Sequence, residues 1–182
     1  MNTTPQVIII NGNSCTGKSY LLHKLTQKLD LPNVSRDEFK EMLFEQMGIG
    51  DAEWSKKLGG MSYSLFFMTI EKLLKTKKSF IIENNFNPKI HSQALKSLLE
   101  KFDYESMEIF LEADPAVILN RHKKRWESGE RHRGHADNER FEEFEMKLKE
   151  EVAVPLNVSE RIIRIDTSDF TKVNYDEILG SL

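Results

Sequence analysis

The sequence is poor in cysteine and has no long apolar run. Its single cysteine, Cys15, cannot form an internal disulfide, so nothing indicates an oxidising compartment. No apolar stretch approaches the roughly 20 residues that a membrane-spanning helix needs. The first ten residues, MNTTPQVIII, lack the basic region and the small-residue cleavage site of a signal peptide. These absences predict a cytoplasmic protein without a membrane partner.

A strong charge of one sign is missing as well. The net charge is −3, which argues against a generally basic surface that grips long nucleic acid. Repeats and low-complexity tracts are absent, which excludes fibrous and solenoid arrays. The 182 residues contain 39% hydrophobic side chains, enough for one buried core. We therefore expect a single domain over residues 1–182.

Short apolar runs alternate with helix-like segments along the whole chain. The β-branched run at residues 7–10 and the apolar run at 79–82 predict strands buried on both faces. A weak strand is expected at 33–35, and two more strands at 108–111 and 161–165. The segments between them carry apolar residues at helical spacing, and Gly59-Gly60 is expected to break the chain before a helix over 61–75. Strands interleaved with helices predict an α/β fold, with a parallel sheet in three layers.

A glycine-rich loop directly after the first predicted strand is the strongest motif. Residues 12–19, GNSCTGKS, satisfy G-x-x-x-x-G-K-[ST], and a helix-like segment follows. Glycines let the backbone wrap a phosphate with N–H groups, and the helix points its positive end at it. The lysine supplies a charge for the β- and γ-phosphates, and the last hydroxyl ligates Mg²⁺. The motif predicts nucleotide binding by Gly12, Asn13, Ser14, Cys15, Thr16, Gly17, Lys18 and Ser19.

The strand and loop VIIINGNSCTGKS resemble the opening of the small P-loop kinases. That group includes adenylate-kinase-like enzymes, polynucleotide 5′-hydroxyl kinases, zeta-toxin-like kinases and chloramphenicol phosphotransferase-like proteins. The resemblance implies a three-layer P-loop NTPase fold with a five-stranded parallel sheet and a basic lid. It also implies ATP and Mg²⁺ as cofactors, with Lys18 as a catalytic residue.

The segment Ser35-Arg-Asp-Glu-Phe-Lys follows the second predicted strand. An aspartate here can accept the proton of an attacking hydroxyl. The arrangement R-D-x-[FY]-[KR] is similar to polynucleotide kinases, which implies that Asp37 is the catalytic base and Lys40 a substrate contact, with Arg36 in the same substrate pocket. The alternative is structural: Ser35-x-x-Glu38 is a capping box, in which Asp37 is only a first-turn acid.

The strand over residues 79–82 ends in polar residues. Ligands bind at the carboxyl ends of parallel strands, so Glu83 is expected to hold a Mg²⁺-bound water or the acceptor. Asn84 is either a substrate donor or a turn former. Thr167, after the last predicted strand, lies where related kinases seat the adenine.

Residues 121–135 form a basic island in an acidic chain. They contain six Lys/Arg against two Glu, a local charge of +4. The pair Arg121 and Arg125, followed by a glycine-containing loop, resembles the lid of this kinase group and predicts a lid over about 121–138. By that likeness Arg125 contacts the transferring phosphates, Arg121 lies near ATP, and Arg131 is a looser match on the substrate side. The alternative is a solvated helix face.

Together these patterns predict an ATP-dependent kinase that phosphorylates a hydroxyl of a small molecule or of a nucleoside or nucleotide. Three alternatives remain: a 5′-hydroxyl polynucleotide kinase, an NTP-hydrolysing switch and a non-catalytic nucleotide-binding protein. The N-K-x-D motif that reads guanine is absent, which weakens the switch hypothesis. The predicted partners are ATP and a small-molecule acceptor; the acceptor's identity and the oligomeric state stay open.

Overall fold

The structure, a computed structural model, describes residues 4–180 and contains a five-stranded parallel sheet. The strands lie in the order β2-β3-β1-β4-β5. Their bounds are Gln6–Gly12 (β1), Asn33–Ser35 (β2), Phe80–Glu83 (β3), Glu105–Glu112 (β4) and Arg161–Asp166 (β5). The predicted α/β fold class is confirmed.

Seven α-helices surround this sheet within the described residues. They are Lys18–Leu29 (α1), Arg36–Met47 (α2), Ala52–Leu74 (α3), Pro88–Phe102 (α4), Pro115–Glu127 (α5), Phe141–Glu150 (α6) and Tyr175–Gly180 (α7). Two short 3₁₀ turns, Arg133–His135 and Phe170–Lys172, lie in the loops after α5 and β5. None of the described helices combines the length and the apolar character needed to cross a membrane.

The central strand β1 supplies both faces of the core. Val7 and Ile9 pack into a cluster with side chains from α3 and α4, whereas Ile8 and Ile10 pack into a second cluster with α1. This division follows from the two-residue period of a strand, which sends successive side chains to opposite faces. Because β1 is the middle strand of the parallel sheet, the loop that follows it emerges at the middle of the sheet's carboxyl edge.

One boundary prediction is wrong: Gly59 and Gly60 do not break the chain, because α3 runs through them from Ala52. Asp51 caps this helix, since its side chain accepts a hydrogen bond from the backbone N–H of Trp54. Burial of apolar side chains along α3 outweighs the conformational cost of two glycines. The longer helix brings Ser55 to the site described next.

Candidate active site

Two cavities open at the carboxyl edge of the sheet. The larger, of about 970 Å³, lies between the start of α2, α3, α4 and α6. The smaller, of about 650 Å³, lies between the glycine-rich loop, α5 and the segment after β5. Ser14 and Arg131 line both cavities. Ten predicted site residues line the smaller one: Ser14, Cys15, Gly17, Lys18 and Ser19 of the loop, together with Asp37, Glu83, Arg121, Arg125 and Arg131.

The glycine-rich loop packs too tightly for side chains at its two ends. Gly12 has a φ of +135°, and a Cβ there would lie 2.1 Å from the carbonyl oxygen of Leu111. Gly17 has a φ of +88°, and its Cβ would lie 2.8 Å from the ring of Phe170. Both positions need glycine, because another residue would strain the backbone and meet a neighbouring element.

Gly12→Ala is expected to lower the free energy of unfolding by roughly 1–3 kcal/mol, because the new methyl group must displace the β4 backbone. Gly60→Ala is the control. Outside its own stretch of helix backbone, no atom lies within 4 Å of its Cβ position in α3, so we expect stabilisation by about 0.5–1 kcal/mol. Urea unfolding measures both changes. Equal stability of the two variants would contradict the packing described at Gly12.

Lys18 lies folded into its own loop. Its side chain is 9% exposed, and Nζ donates a hydrogen bond to the carbonyl oxygen of Asn13 at 2.8 Å. The hydroxyl of Thr16 donates to the same carbonyl at 2.8 Å, so the Thr16 side chain stabilises the loop rather than lining a cavity. Burial lowers the pKa of Lys18, although the carboxylate of Glu83 at 3.9 Å opposes this effect.

Two oxygen donors that suit Mg²⁺ line the same cavity as Lys18. Ser19 lies in the first turn of α1, and Glu83 ends β3. The hydroxyl of Ser35 donates to Glu83 Oε2 at 2.6 Å and fixes the carboxylate. Within residues 4–180 no three His, Cys, Asp or Glu side chains cluster as a metal site. A hydroxyl and one carboxylate nevertheless fit Mg²⁺, which keeps several waters and takes its other ligands from phosphates.

Asp37 lies in the first turn of α2 and faces the smaller cavity. Its Oδ2 accepts a hydrogen bond from Arg131 Nη1 at 3.1 Å, and its Oδ1 is 3.4 Å from Arg36 Nη2. Burial raises the pKa of this carboxyl, but the guanidinium groups of Arg131 and Arg36 outweigh it and hold the pKa well below the usual range. Asp37, with 38% of its side chain exposed, is therefore ionised at neutral pH.

Of the two hydrogen bonds that make up the predicted capping box, the structure contains one. Ser35 is the N-cap of α2, but its hydroxyl makes no capping hydrogen bond and donates to Glu83 instead. The carboxylate of Glu38 does accept a hydrogen bond from the backbone N–H of Ser35. Neither bond involves Asp37. The start of α2 is therefore organised without the Asp37 side chain.

Arg36, in the wall of the larger cavity, is held by the buried side chain of Asn84. Arg36 Nε donates to Asn84 Oδ1 at 3.3 Å, and Nη1 donates to Ser62 Oγ at 3.3 Å. The Asn84 amide also donates to the hydroxyl of Tyr63, over whose ring the guanidinium lies at 4.8 Å. Asn84 thus positions Arg36 and Tyr63, and its neighbour Asn85 lines the cavity in its place.

Lys40 is a buried cation beside the larger cavity. It is 5% exposed, and Nζ donates to Ser55 Oγ at 3.0 Å. Burial lowers the pKa of Lys40 to about 8, and the nearby positive charge of Arg36 adds to the effect. Among the residues that the structure describes, no carboxylate lies within ion-pair distance of its ammonium group.

On the other side of the loop, Arg121 joins α5 to the segment after β5. Its Nη2 donates to the carbonyl oxygen of Thr167 at 2.7 Å, and its guanidinium carbon lies 3.8 Å from the ring centroid of Phe170. The hydroxyl of Thr167 donates to the backbone oxygen of Glu112, and Thr167 is fully buried. The Thr167 side chain is therefore hydrogen-bonded to β4 and does not line the smaller cavity. Phe170, three residues later, does line it.

Arg125 lies one helical turn after Arg121 and lines the smaller cavity beside Cys15. Burial raises the pKa of the Cys15 thiol, while the positive charge of Arg125 and its hydrogen bond to the sulfur act in the opposite direction. The guanidinium of Arg125 is therefore directed at the glycine-rich loop.

Sequence reasoning missed three aromatic residues that line the smaller cavity, Tyr20, Phe170 and Tyr175. The only sequence signal was that Phe170 is the one aromatic residue between positions 161 and 174. It also missed Glu41 and His135, which meet at 3.0 Å across 94 positions of sequence. No local pattern indicates that contact.

Comparisons with known proteins bear on this site. A family model described as an AAA domain matches residues 7–151, whereas no curated protein matches significantly. A candidate kinase from Chloroflexus aurantiacus j-10-fl is similar in structure, with a TM-score of 0.90, 28% identity and coverage of 98% of this chain and 97% of that chain.

Two more distant structures share the fold. A gluconokinase from Sinorhizobium meliloti 1021 has a TM-score of 0.58 at 12% identity, covering 98% of this chain and 90% of that chain. A sugar kinase from Janibacter sp. HTCC2649 has a TM-score of 0.55 at 14% identity, covering 97% and 91%. The chain therefore belongs to the AAA domain family, and its fold is that of the P-loop kinases.

Proposed function

We propose that this protein is an ATP-dependent kinase that transfers the γ-phosphate to a hydroxyl of a small molecule. The observation that carries the proposal is the position of Asp37 in the wall of the same cavity as Lys18. Arg131 bonds to Asp37 and also lines the larger cavity, so a nucleotide in the smaller one and an acceptor in the larger one would meet there. We propose that residues 121–138 are the lid of this single domain.

The reaction assigns a separate task to each group. The Asp37 carboxylate accepts the proton of the acceptor hydroxyl, whose oxygen forms a bond to the γ-phosphorus. The bond between this phosphorus and the β–γ bridging oxygen breaks, and ADP leaves. Lys18 and Arg125 compensate the negative charge that collects on the phosphates during transfer. Arg131 exchanges its contact with Asp37 for the γ-phosphate, which would let the pKa of Asp37 rise towards that of a working base.

Ser19 and Glu83 would hold Mg²⁺, Ser19 through its hydroxyl and Glu83 through a water. When bound, the ion supplies positive charge to the β- and γ-phosphate oxygens. Ser35 keeps the Glu83 carboxylate oriented towards this position.

The adenine would bind in the smaller cavity and the acceptor in the larger one. The Arg121–Phe170 pair and Tyr175 supply a flat and an aromatic surface suited to a purine. Arg36 and Lys40 supply hydrogen-bond donors in the larger cavity, and no carboxylate of the described residues lies within ion-pair distance of Lys40. This supports an acceptor that presents polar or anionic groups beside its hydroxyl.

A library of metabolites and short oligonucleotides, incubated with Mg²⁺-ATP, tests the proposal directly. The expected result is a mass gain of one phosphate on a small hydroxyl compound, with one ADP formed for each. A gain only on oligonucleotides with a free 5′-hydroxyl would support the polynucleotide kinase alternative. Free phosphate without any acceptor product would contradict the kinase function.

Arg125→Ala is expected to lower turnover by roughly 10² or more, with a much smaller loss of ATP affinity, because charge on the phosphates grows in the transition state. Lys123→Ala is the control: the Lys123 side chain is exposed on the same helix and pairs with Glu127 at its surface. Steady-state kinetics and ATP titration separate the two effects. Normal turnover of Arg125→Ala would remove Arg125 from the mechanism.

A further inference from the structure

The segment over residues 131–137, after α5, is docked on α2 by a small aromatic interface. Phe44 of α2 is 1% exposed, because the ring of His132 stacks on it at 5.2 Å and the ring of His135 meets its edge at 5.5 Å. A Cβ on Gly134 would lie 2.4 Å from the Phe44 ring, so only glycine allows this approach. The interface therefore defines one docked position for the segment.

Within this interface, a chain of hydrogen bonds runs from α2 through the segment and back to α2. Glu41 Oε1 is 3.0 Å from His135 Nε2, and His135 Nδ1 is 3.0 Å from Arg131 Nη2. Arg131 then donates to Asp37 through Nη1 at 3.1 Å and to Asp137 through Nε at 3.2 Å. Three bonds in different directions fix the guanidinium between the two cavities.

The chain of bonds determines the protonation state of His135. A guanidinium has only donors, so Nδ1 of His135 must accept the hydrogen bond from Arg131. A neutral imidazole then carries its proton on Nε2 and donates it to the carboxylate of Glu41. A second proton would place an N–H on Nδ1, directly facing the N–H groups of Arg131.

We infer that Glu41 and His135 are positioning residues: neutral His135 holds Arg131 between the two cavities, and its protonation releases Arg131 and undocks residues 131–137 from α2. The contacts concern the free protein, whereas the consequence for catalysis rests on the proposed kinase function. Neither residue lines the smaller cavity, and His135 reaches it through Arg131.

The surroundings of His135 set the direction of its pH dependence. From α2 it is faced by Asp37, Lys40 and Glu41, and from its own segment by Arg131 and His132. From α3 the hydroxyl of Ser55 donates to its carbonyl oxygen at 3.3 Å. Burial lowers the pKa of His135, although the hydrogen bond with Glu41 opposes this.

The docked state binds fewer protons at His135 than the undocked state. It is therefore fully stabilised at a pH above the ordinary histidine value of about 6.5 and is lost as the pH falls through the lowered pKa.

Nitrogen NMR of the histidine rings in the full-length free protein tests the protonation state. The expected spectrum at pH 7.5 shows His135 as the neutral Nε2–H form, with a titration midpoint below about 6.5. A charged His135 at pH 7.5, or a neutral Nδ1–H form, would overturn the inference whether or not the protein is a kinase.

Hydrogen exchange at pH 7.5 tests the docking. His135→Ala and Gly134→Ala should each speed exchange across residues 131–137 by roughly 10-fold or more, the size expected for the loss of one buried contact. Glu41→Gln retains an acceptor for Nε2–H and should stay within about 3-fold of the wild type, whereas Glu41→Ala should not. Unchanged exchange in His135→Ala would overturn the inference.

Kinetics with the acceptor found in the library screen complete the test. The wild-type kcat should fall with decreasing pH at the His135 midpoint, with KM for ATP nearly constant, and His135→Asn should lack this fall because Asn accepts from Arg131 but does not titrate. If the wild type falls at a different midpoint, or His135→Asn falls in the same way, the positioning role is wrong. If the wild type transfers no phosphate at any pH, the kinase function fails, and the NMR and exchange results alone decide on the docking.

Discussion

Lys18→Ala is expected to abolish phosphoryl transfer, with a rate loss of at least roughly 10³, while the protein stays folded. The ammonium of Lys18 donates to Asn13 of the same loop and lies 3.9 Å from Glu83 in the wall of the smaller cavity. These contacts hold the ammonium in the cavity wall, and Lys18 belongs to neither hydrophobic cluster of the sheet. Single-turnover transfer from labelled ATP measures the loss, and circular dichroism during heating measures the folded state.

The matched control is Lys28→Ala, which removes an exposed ammonium from the last turn of the same helix. We expect it to leave the transfer rate unchanged, since Lys28 lies a full helix length from the glycine-rich loop. A Lys18→Ala variant that transfers phosphate at the wild-type rate would contradict the kinase function. A variant that binds ATP but unfolds at a much lower temperature would instead assign Lys18 to stability.

Asp37→Asn is expected to lower the transfer rate by roughly 10² to 10⁴, with ATP affinity nearly unchanged. Asparagine keeps the size of the side chain and still accepts a hydrogen bond from Arg131, but it cannot take the proton of the acceptor hydroxyl. The loss should therefore appear in kcat. Transfer kinetics and an ATP titration on the same protein preparation separate the two quantities.

Glu38→Gln, the neighbouring acid in the first turn of α2, is the control for Asp37→Asn. Its carboxylate accepts from the backbone N–H of Ser35, so we expect a change of a few tenths of a kcal/mol in stability and none in rate. If Asp37→Asn behaves in the same way, Asp37 is only a helix-terminal acid and the assignment of the base is wrong.

The strands and the glycine-rich loop are predictable from the sequence because their signals are local. The apolar run at residues 7–10 is buried on both faces of β1, and residues 12–17 lead into α1 at Lys18, as the motif requires. The same local reasoning failed at Gly59-Gly60. There the helix continues because distant side chains bury the apolar face of α3 and outweigh the weak local helix propensity.

The side-chain partners of the site depend on contacts that no local pattern contains. Asn84 and Thr167 are polar residues at the expected edge of the sheet, yet one positions Arg36 and the other is hydrogen-bonded to Glu112 within the sheet. In each case the hydrogen-bond partner is set by the strand or helix that lies next to the side chain. Sequence predicts where a polar side chain emerges, and the packing around it determines which atom it meets.

The sequence by itself determined that this protein has a parallel α/β sheet and a glycine-rich loop between β1 and α1, because periodicity and the glycine-lysine spacing act within a few residues. Only the tertiary structure decided that Asp37 is paired with Arg131, 94 positions away, and that His135 and Glu41 fix that arginine. The physical reason is that a charge acquires its pKa and its partner from the groups that folding places around it. Those groups come from α2 and from the segment after α5, which lie far apart in the sequence and meet in the folded protein.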